Sequence, residues 1–364
     1  MHAPTFTHPE PPREKTRILP VFLPYAGCPH RCSFCAQHLQ TGEPHRALAD
    51  IFRRLESELE ALAPPLLGSP PLEIAFYGGT FTALPGGWPE RFLTLAARHK
   101  ARGAIGRVRC STRPDAVGAR GTAGAGNTAT GSEARNATDA AILDRLRGLG
   151  LDMVELGVQS FDDGALRASG RGYDGRAARA ACDAVRAAGL ELGVQLLPGL
   201  PGDRPGLFRE DARITAAIAP NAARLYPCVV VEGTPLAADW RSGEYTPWDD
   251  DRAVEELGSA LPVLWAAGVR VIRMGLAAEE KLDAAVLAGT RHPALGQAAR
   301  ARALLAVVAE RVEWLGRTPK FLAAPRRYAG EIFGQRNELA PRYAALGLPR
   351  GAILFHDGPD FRLE

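Results

Sequence analysis

Arg17-Ile18-Leu19-Pro20-Val21-Phe22-Leu23-Pro24 runs almost directly into Gly27-Cys28-Pro29-His30-Arg31-Cys32-Ser33-Phe34-Cys35, and this junction of strand and thiol-rich loop decides how the rest of the chain is read. The first stretch is short and apolar, the pattern of a buried strand. The loop places three thiols at C-x3-C-x2-C spacing at the strand's end. A loop so spaced can wrap one metal cluster, each thiolate binding a separate iron. A cubane has four irons, and Cys110, Cys182 and Cys228 each stand alone in sequence. One iron therefore has no obvious protein ligand and is open to a chelating substrate. Spacing alone leaves two other uses for the loop: a structural zinc site completed by His30 or His38, or three inert buried thiols.

Outward from this junction, strand-like runs recur at Leu72–Gly78, Arg107–Thr112, Met153–Gln159, Glu191–Leu197 and Ala223–Val231. Amphipathic helical patterns separate them, over Leu48–Leu62, Glu90–Ala101, Ala141–Gly148, Arg176–Ala188 and Leu207–Ile218. This alternation predicts βαβ units and a parallel sheet, with Gly189 and Pro64-Pro65 as helix stops. The expected fold is α/β, a partial parallel (β/α)6 TIM-like barrel over residues 17–247. A doubly wound open sheet satisfies the same periodicity. In a barrel, the cysteine loop would lie at the C-terminal end of the first strand, on the face where such folds place their active sites.

Beyond Pro247 come a helical stretch, Asp250–Ala267, a strand pattern, Val269–Leu276, and further helices. Residues 248–364 are read as a C-terminal α/β extension packed on the barrel. Residues 1–16 are read as a flexible N-terminus. The Gly, Ala, Thr and Ser of 118–136 cannot bury enough apolar surface to order themselves and are read as a disordered insertion.

The chain has 364 residues, 46% of them hydrophobic, enough for a large core. It contains no run of twenty apolar residues, so no membrane span is expected, and Met1 to Arg17 lacks the apolar stretch of a secretory signal. These features, with no paired-cysteine spacing, suggest a cytoplasmic, reducing setting where thiolates serve as metal ligands. A net charge of +3 does not by itself argue for nucleic acid. The excess of Arg over Lys reads as codon composition rather than as a binding surface.

The C-x3-C-x2-C loop with Phe34 before its last cysteine resembles the motif of the radical S-adenosylmethionine (SAM) superfamily. Further motifs follow in strand order: Tyr77-Gly78-Gly79-Thr80-Phe81, Cys110-Ser111-Thr112-Arg113-Pro114-Asp115, and Glu155-Leu156-Gly157-Val158-Gln159-Ser160-Phe161. Then come Ser169-Gly170-Arg171-Gly172-Tyr173 and Leu197-Pro198-Gly199-Leu200-Pro201-Gly202. With Val271–Leu276 and Arg291–Gly296, the series resembles the radical SAM region of the Elongator catalytic subunit and its stand-alone bacterial relatives, over roughly residues 17–297.

The resemblance implies a 4Fe–4S cluster on Cys28, Cys32 and Cys35, with SAM chelating the open iron. Reduction would cleave SAM to a 5′-deoxyadenosyl radical that abstracts hydrogen from a substrate. It places Phe34 near the adenine, Gly78, Gly79 and Thr80 at the SAM amino group, and Arg171 at its carboxylate. Ser111, Arg113 and Gln159 are candidates for ribose or substrate, or for turn structure. Tyr226 and Cys228 are candidates for reaching substrate, with packing the plainer use. Glu155 lies mid-strand and needs a partner, either SAM or a salt bridge. An electron donor such as flavodoxin or ferredoxin is implied.

The 67 residues of Ala298–Glu364 are too few for the subunit's acetyltransferase domain, and Gly334-Gln335-Arg336-Asn337 is a weak phosphate-binding match. Three functions are therefore expected in turn. The first is a radical SAM enzyme acting on tRNA or another RNA, with Arg311, Arg317, Lys320, Arg326, Arg327 and Arg336 on phosphates. The second is one acting on a small molecule, as the porphyrinogen-oxidising branch does. The third is a non-catalytic RNA-binding protein with a structural metal site.

Overall fold

The computed structural model describes residues 5–12, 16–40, 46–62, 70–117, 141–276 and 280–364. The segment 118–136 lies outside the described residues. Strands are numbered in chain order: β1 (Thr5–Phe6), β2 (Arg17–Leu23), β3 (Leu72–Gly78), β4 (Arg107–Thr112), β5 (Met153–Gln159), β6 (Glu191–Leu196) and β7 (Ala222–Leu225). They continue as β8 (Val230–Val231), β9 (Arg270–Met274), β10 (Val286–Ala288), β11 (Leu322–Pro325), β12 (Ile353–His356) and β13 (Phe361–Leu363).

Seven strands form one parallel sheet in the order β2-β3-β4-β5-β6-β7-β9, curled into an open half-barrel. Each crossover from β2 to β7 carries helix on the outer face, as parallel pairing requires. The outward residues of the central strands, such as Ile74, Phe76, Val154, Leu156 and Val158, are buried against those helices. Two of the helices start on aspartate caps: Asp174 accepts from the Ala177 amide at 2.7 Å and Asp249 from the Arg252 amide at 2.8 Å.

Three sequence readings change. The sheet gains a seventh strand, β9, from the segment assigned above to the extension. The sixth predicted strand, Ala223–Val231, divides: β7 stays in the sheet, and β8 pairs antiparallel with β10. Pro227 lies between the two pieces and, lacking an N–H, cannot continue a ladder. Within the N-terminal segment, residues 5–12 are placed: Phe6 stacks on Phe361 with ring centroids 5.0 Å apart and β1 pairs with β13. A two-residue strand carries no periodic signal, so its order is set by a partner 355 residues away.

The C-terminal residues form a second apolar cluster around Leu304, Val308, Ile332, Tyr343 and Phe361, beneath the sheet β1-β13-β11-β12. The helix Leu295–Leu315 joins this cluster to the barrel by packing on Asp250–Ala266. Gly258 permits the close approach, since a Cβ there would meet Arg302 Cβ at 2.5 Å. Among the described residues, no helix is long and apolar enough to cross a membrane.

Candidate active site

The loop after β2 is built against the turn after β3. The Gly79 amide donates to Leu23 O at 2.8 Å and the Thr80 amide to Ala26 O at 2.7 Å. Gln37 Nε2 donates to Gly78 O at 2.9 Å. A Cβ on Gly79 would stand 1.9 Å from Ala26 O, and one on Gly27, whose φ is +72°, would stand 2.3 Å from Thr80 O. These two glycines are required by contact between backbones, not by flexibility. Gly79→Ala is therefore expected to push the loop off the turn and to cut iron retained per chain by at least half, read by iron analysis after anaerobic reconstitution. Full iron content in that variant would show that the contact is dispensable.

Cys32 is buried, and Cys28 and Cys35 are half-buried. Arg171 Nη1 lies 3.1 Å from Cys32 Sγ and Arg113 Nη1 lies 3.5 Å from it. Cys28 Sγ sits 3.4 Å from the Thr80 hydroxyl. Burial, then the neighbouring Cys32 and Cys28, pushes the Cys35 thiol up to about 12. Arg113 is held by Asp115 through two contacts of 2.8 Å. Arg171 Nε donates to the Tyr173 hydroxyl at 2.8 Å.

A cavity of about 720 Å³ opens in front of the loop. It is lined by all three cysteines, Phe34, Gly78, Gly79, Ser111, Arg113, Gln159 and Arg171, while Cys228 does not line it. Cys228 is buried behind the wall, where burial pushes its thiol up to about 12. Thr80 is buried and reaches the site through Cys28. Gln159 has a left-handed backbone, φ +70°, at a register shift between β5 and β6. Its Oε1 is buried without a hydrogen-bond partner. A left-handed backbone and an unpaired buried acceptor thus coincide at one cavity-lining residue. The turn behind it is fixed by buried Asp211, which accepts from Ser160 Oγ at 2.7 Å and from the Phe161 amide at 2.8 Å.

The far half of the cavity is ion-paired. Glu155 accepts from Arg109 at 2.9 Å and from Arg224 at 2.7 Å, so it takes the salt-bridge course of its two sequence alternatives. Tyr77 OH accepts from Arg109 at 2.6 Å and from Arg224 at 2.9 Å. Arg224 also donates to Tyr226 OH at 3.0 Å. The residues missed from sequence are Tyr77 as a side chain, Arg109, Asp115, Tyr173, Asp211 and Arg224. Arg107 and Arg109, two apart on one strand, were the available signal, since alternate residues share a sheet face.

His30 Nε2 bonds to Gly170 O at 2.8 Å and His38 Nδ1 to the Tyr25 hydroxyl at 3.3 Å. Among the described residues, no group of three or more His, Cys, Asp and Glu converges on a single-ion site. The Cys3His zinc reading would draw its fourth ligand from one of these two histidines, each of which is engaged elsewhere through one ring nitrogen.

A curled parallel sheet with a thiol loop packed on a glycine turn defines a class of cofactor-dependent enzyme, and residues 22–213 match the model of the radical SAM superfamily. The chain belongs to that superfamily, and residues 220–306 match its C-terminal domain model. Among curated proteins it is similar to the tRNA uridine(34) acetyltransferase of Methanocaldococcus infernus, 30% identical over 137 residues, 36% of this chain and 26% of the relative. The enzyme of that name from Dehalococcoides mccartyi is 37% identical over 113 residues, 29% of this chain and 24% of the relative. The chain matches about a quarter of the length of these relatives. The solved structure of Methanocaldococcus infernus Elp3 with an N-terminal deletion superposes with a TM-score of 0.53 at 20% identity, covering 83% of this chain and 64% of that one.

Enzymes of this superfamily use a 4Fe–4S cluster and SAM, and the loop fits such a group. Its three donors are soft thiolates, a set that suits iron–sulfur clusters as it does zinc. Metal binding requires such thiols to give up their protons to the metal. Arg171 is buried, and among the described residues no carboxylate bonds to it. Its Nη1 is directed at Cys32 Sγ, the sulfur a metal would claim.

Proposed function

We propose that this chain cleaves SAM reductively at a 4Fe–4S cluster held by Cys28, Cys32 and Cys35 and abstracts hydrogen from an RNA substrate, tRNA foremost. The observation that carries the reading is the single cavity shared by the three thiols, the glycine turn and the strained Gln159. When bound, the cluster and SAM supply a one-electron cleavage that yields the hydrogen-abstracting 5′-deoxyadenosyl radical.

The chain's residues orient and enclose. Carbonyls of the Gly78–Gly79 turn can approach an ammonium closely because no side chain intervenes, and Phe34 offers an apolar wall to the adenine. Ser111 and Gln159 line the cavity where a ribose would lie. Arg171 keeps two N–H groups beyond those on Cys32, Gly157 and Tyr173, enough to meet the SAM carboxylate. The Glu155–Arg109–Arg224 network closes the far wall without placing an unpaired charge in the cavity, and Glu10 and Pro11 line its open side. Excluding water in this way protects a radical from quenching. A cytoplasmic setting and a flavodoxin or ferredoxin donor complete the reading.

The RNA assignment is supported by the names of the relatives and by Arg31, Arg270 and Arg273 along the cavity. The outlying basic residues give less: Arg326 pairs with Asp357 at 3.5 Å, and Arg327 sits over Tyr328. A small-molecule substrate is the second reading, favoured by a volume in the range of small-ligand pockets, about 300–1,000 Å³. The test is anaerobic: protein rebuilt with iron and sulfide is reduced with SAM, with and without bulk tRNA, and 5′-deoxyadenosine is measured. RNA-stimulated product that declines steeply with salt is expected. Product unaffected by RNA overturns the RNA assignment and leaves the small-molecule reading, and absence of product in every arm overturns SAM cleavage.

A further inference from the structure

Among the described residues, Cys32 is the loop thiol that receives charged donors. Arg171 and Arg113 both direct a guanidinium N–H at its Sγ, at 3.1 and 3.5 Å. Cys28 meets only the neutral Thr80 hydroxyl, and Cys35 the backbone N–H of Gln37. The two guanidiniums are tied together, since Arg113 Nη2 also donates to the carbonyl of Arg171. Both residues are 5% exposed. One carboxylate, Asp115, serves the pair, gripping Arg113 through Nε and Nη2. Two buried cations thus share one carboxylate and the Cys32 sulfur.

We propose that Arg113 and Arg171 are positioning residues that act through Cys32 to raise the reduction potential of the cluster, with Asp115 holding the Arg113 fork in place. The inference rests on the reading of the loop as a 4Fe–4S site. Reduction adds one negative charge to the cluster. A fixed cation on a cluster thiolate stabilises that charge more than it stabilises the oxidised form, and N–H···S bonds act in the same direction. Both guanidiniums and Cys32 are buried, so solvent screens the effect little. The charge is also lopsided, concentrated on the Cys32 corner.

The experiment is a redox titration followed by electron paramagnetic resonance, on full-length protein rebuilt with iron and sulfide, with reduced cluster normalised to iron content. Arg171→Met is expected to lower the ratio of reduced to oxidised cluster at fixed potential by about tenfold, or 59 mV for a one-electron couple. Arg113→Met moves it the same way by a smaller factor, its contact being longer. Arg113→Lys, which keeps the charge, recovers most of that loss, and Asp115→Asn falls between wild type and Arg113→Met. If Arg171→Met does not fold or load, the Arg113 pair of variants decides the matter. Loaded variants that titrate with wild type overturn the inference, as does a loss of iron with no change in the potential of what remains. A wild-type protein that binds no iron overturns the reading of the site itself.

Discussion

Cys32→Ala protein, rebuilt with iron and sulfide without air, is expected to lack the visible absorbance of a cluster and to form 5′-deoxyadenosine at no more than about a hundredth of the wild-type rate. Loss of an outer-shell partner already costs metal sites about 10–100-fold, and here a ligand is removed. Its removal also leaves Arg171 buried without a counter-charge and Arg113 with Asp115 alone. Cys28→Ala and Cys35→Ala are expected to lose the cluster as well, without disturbing the guanidiniums. The three variants should therefore separate in stability though not in activity, with Cys32→Ala unfolding at the lowest urea concentration. Cys182→Ala is the control, because Cys182 is buried in the helix Gly175–Ala187 and does not line the cavity. Cluster absorbance and product formation surviving in Cys32→Ala would sink the ligand assignment.

Glu155→Ala is expected to cost about 3–5 kcal/mol of stability, seen as a lower urea midpoint at unchanged slope. The carboxylate is 4% exposed and lies between guanidiniums from β4 and β7. Without it, Arg109 and Arg224 face each other across the barrel with only Glu73, 3.5 Å from Arg109 Nε, still near. Burial pushes the Glu73 carboxyl up, against the pull of Arg109 and Arg107, so it is a poor substitute. Replacing all three partners with Met is expected to return most of the loss, because a well-packed apolar filling removes the desolvation cost along with the attraction. The triple variant separates two functions of the network. If it regains stability and still cleaves SAM, the charges serve the substrate rather than the fold. A Glu155→Ala midpoint equal to wild type would show that the network carries no strain-bearing load between the strands.

Much of the half-barrel was legible because parallel strands buried on both sides read as apolar runs, and the helices between them announce themselves by amphipathic spacing. β3, β4 and β5 have the bounds that their sequence pattern suggests. Legibility failed where pairing was decided at long range: β1 needs Phe361, and β8 needs β10. In the site, the thiol loop and glycine turn were legible from local spacing, and their contact is the backbone approach at Gly79. The polar wall was not legible, because Arg109, Glu155 and Arg224 come from three strands and acquire meaning only when curling brings them within hydrogen-bond distance. Asp211 was hidden differently. It sits in an amphipathic helix at a position that reads as solvent-facing, yet it is 2% exposed and burial pushes its carboxyl up to about 7.

The pairing of β1 with β13 joins Phe6 to Phe361, 355 residues further along the chain. Closing a loop of that length costs entropy that only prior packing of the intervening strands offsets, so this pairing belongs with the late contacts of folding. Glu10, which lines the cavity and binds Arg300 at 2.9 Å, sits on the same segment, and one wall of the cavity is therefore completed only when the chain's most distant contact is made.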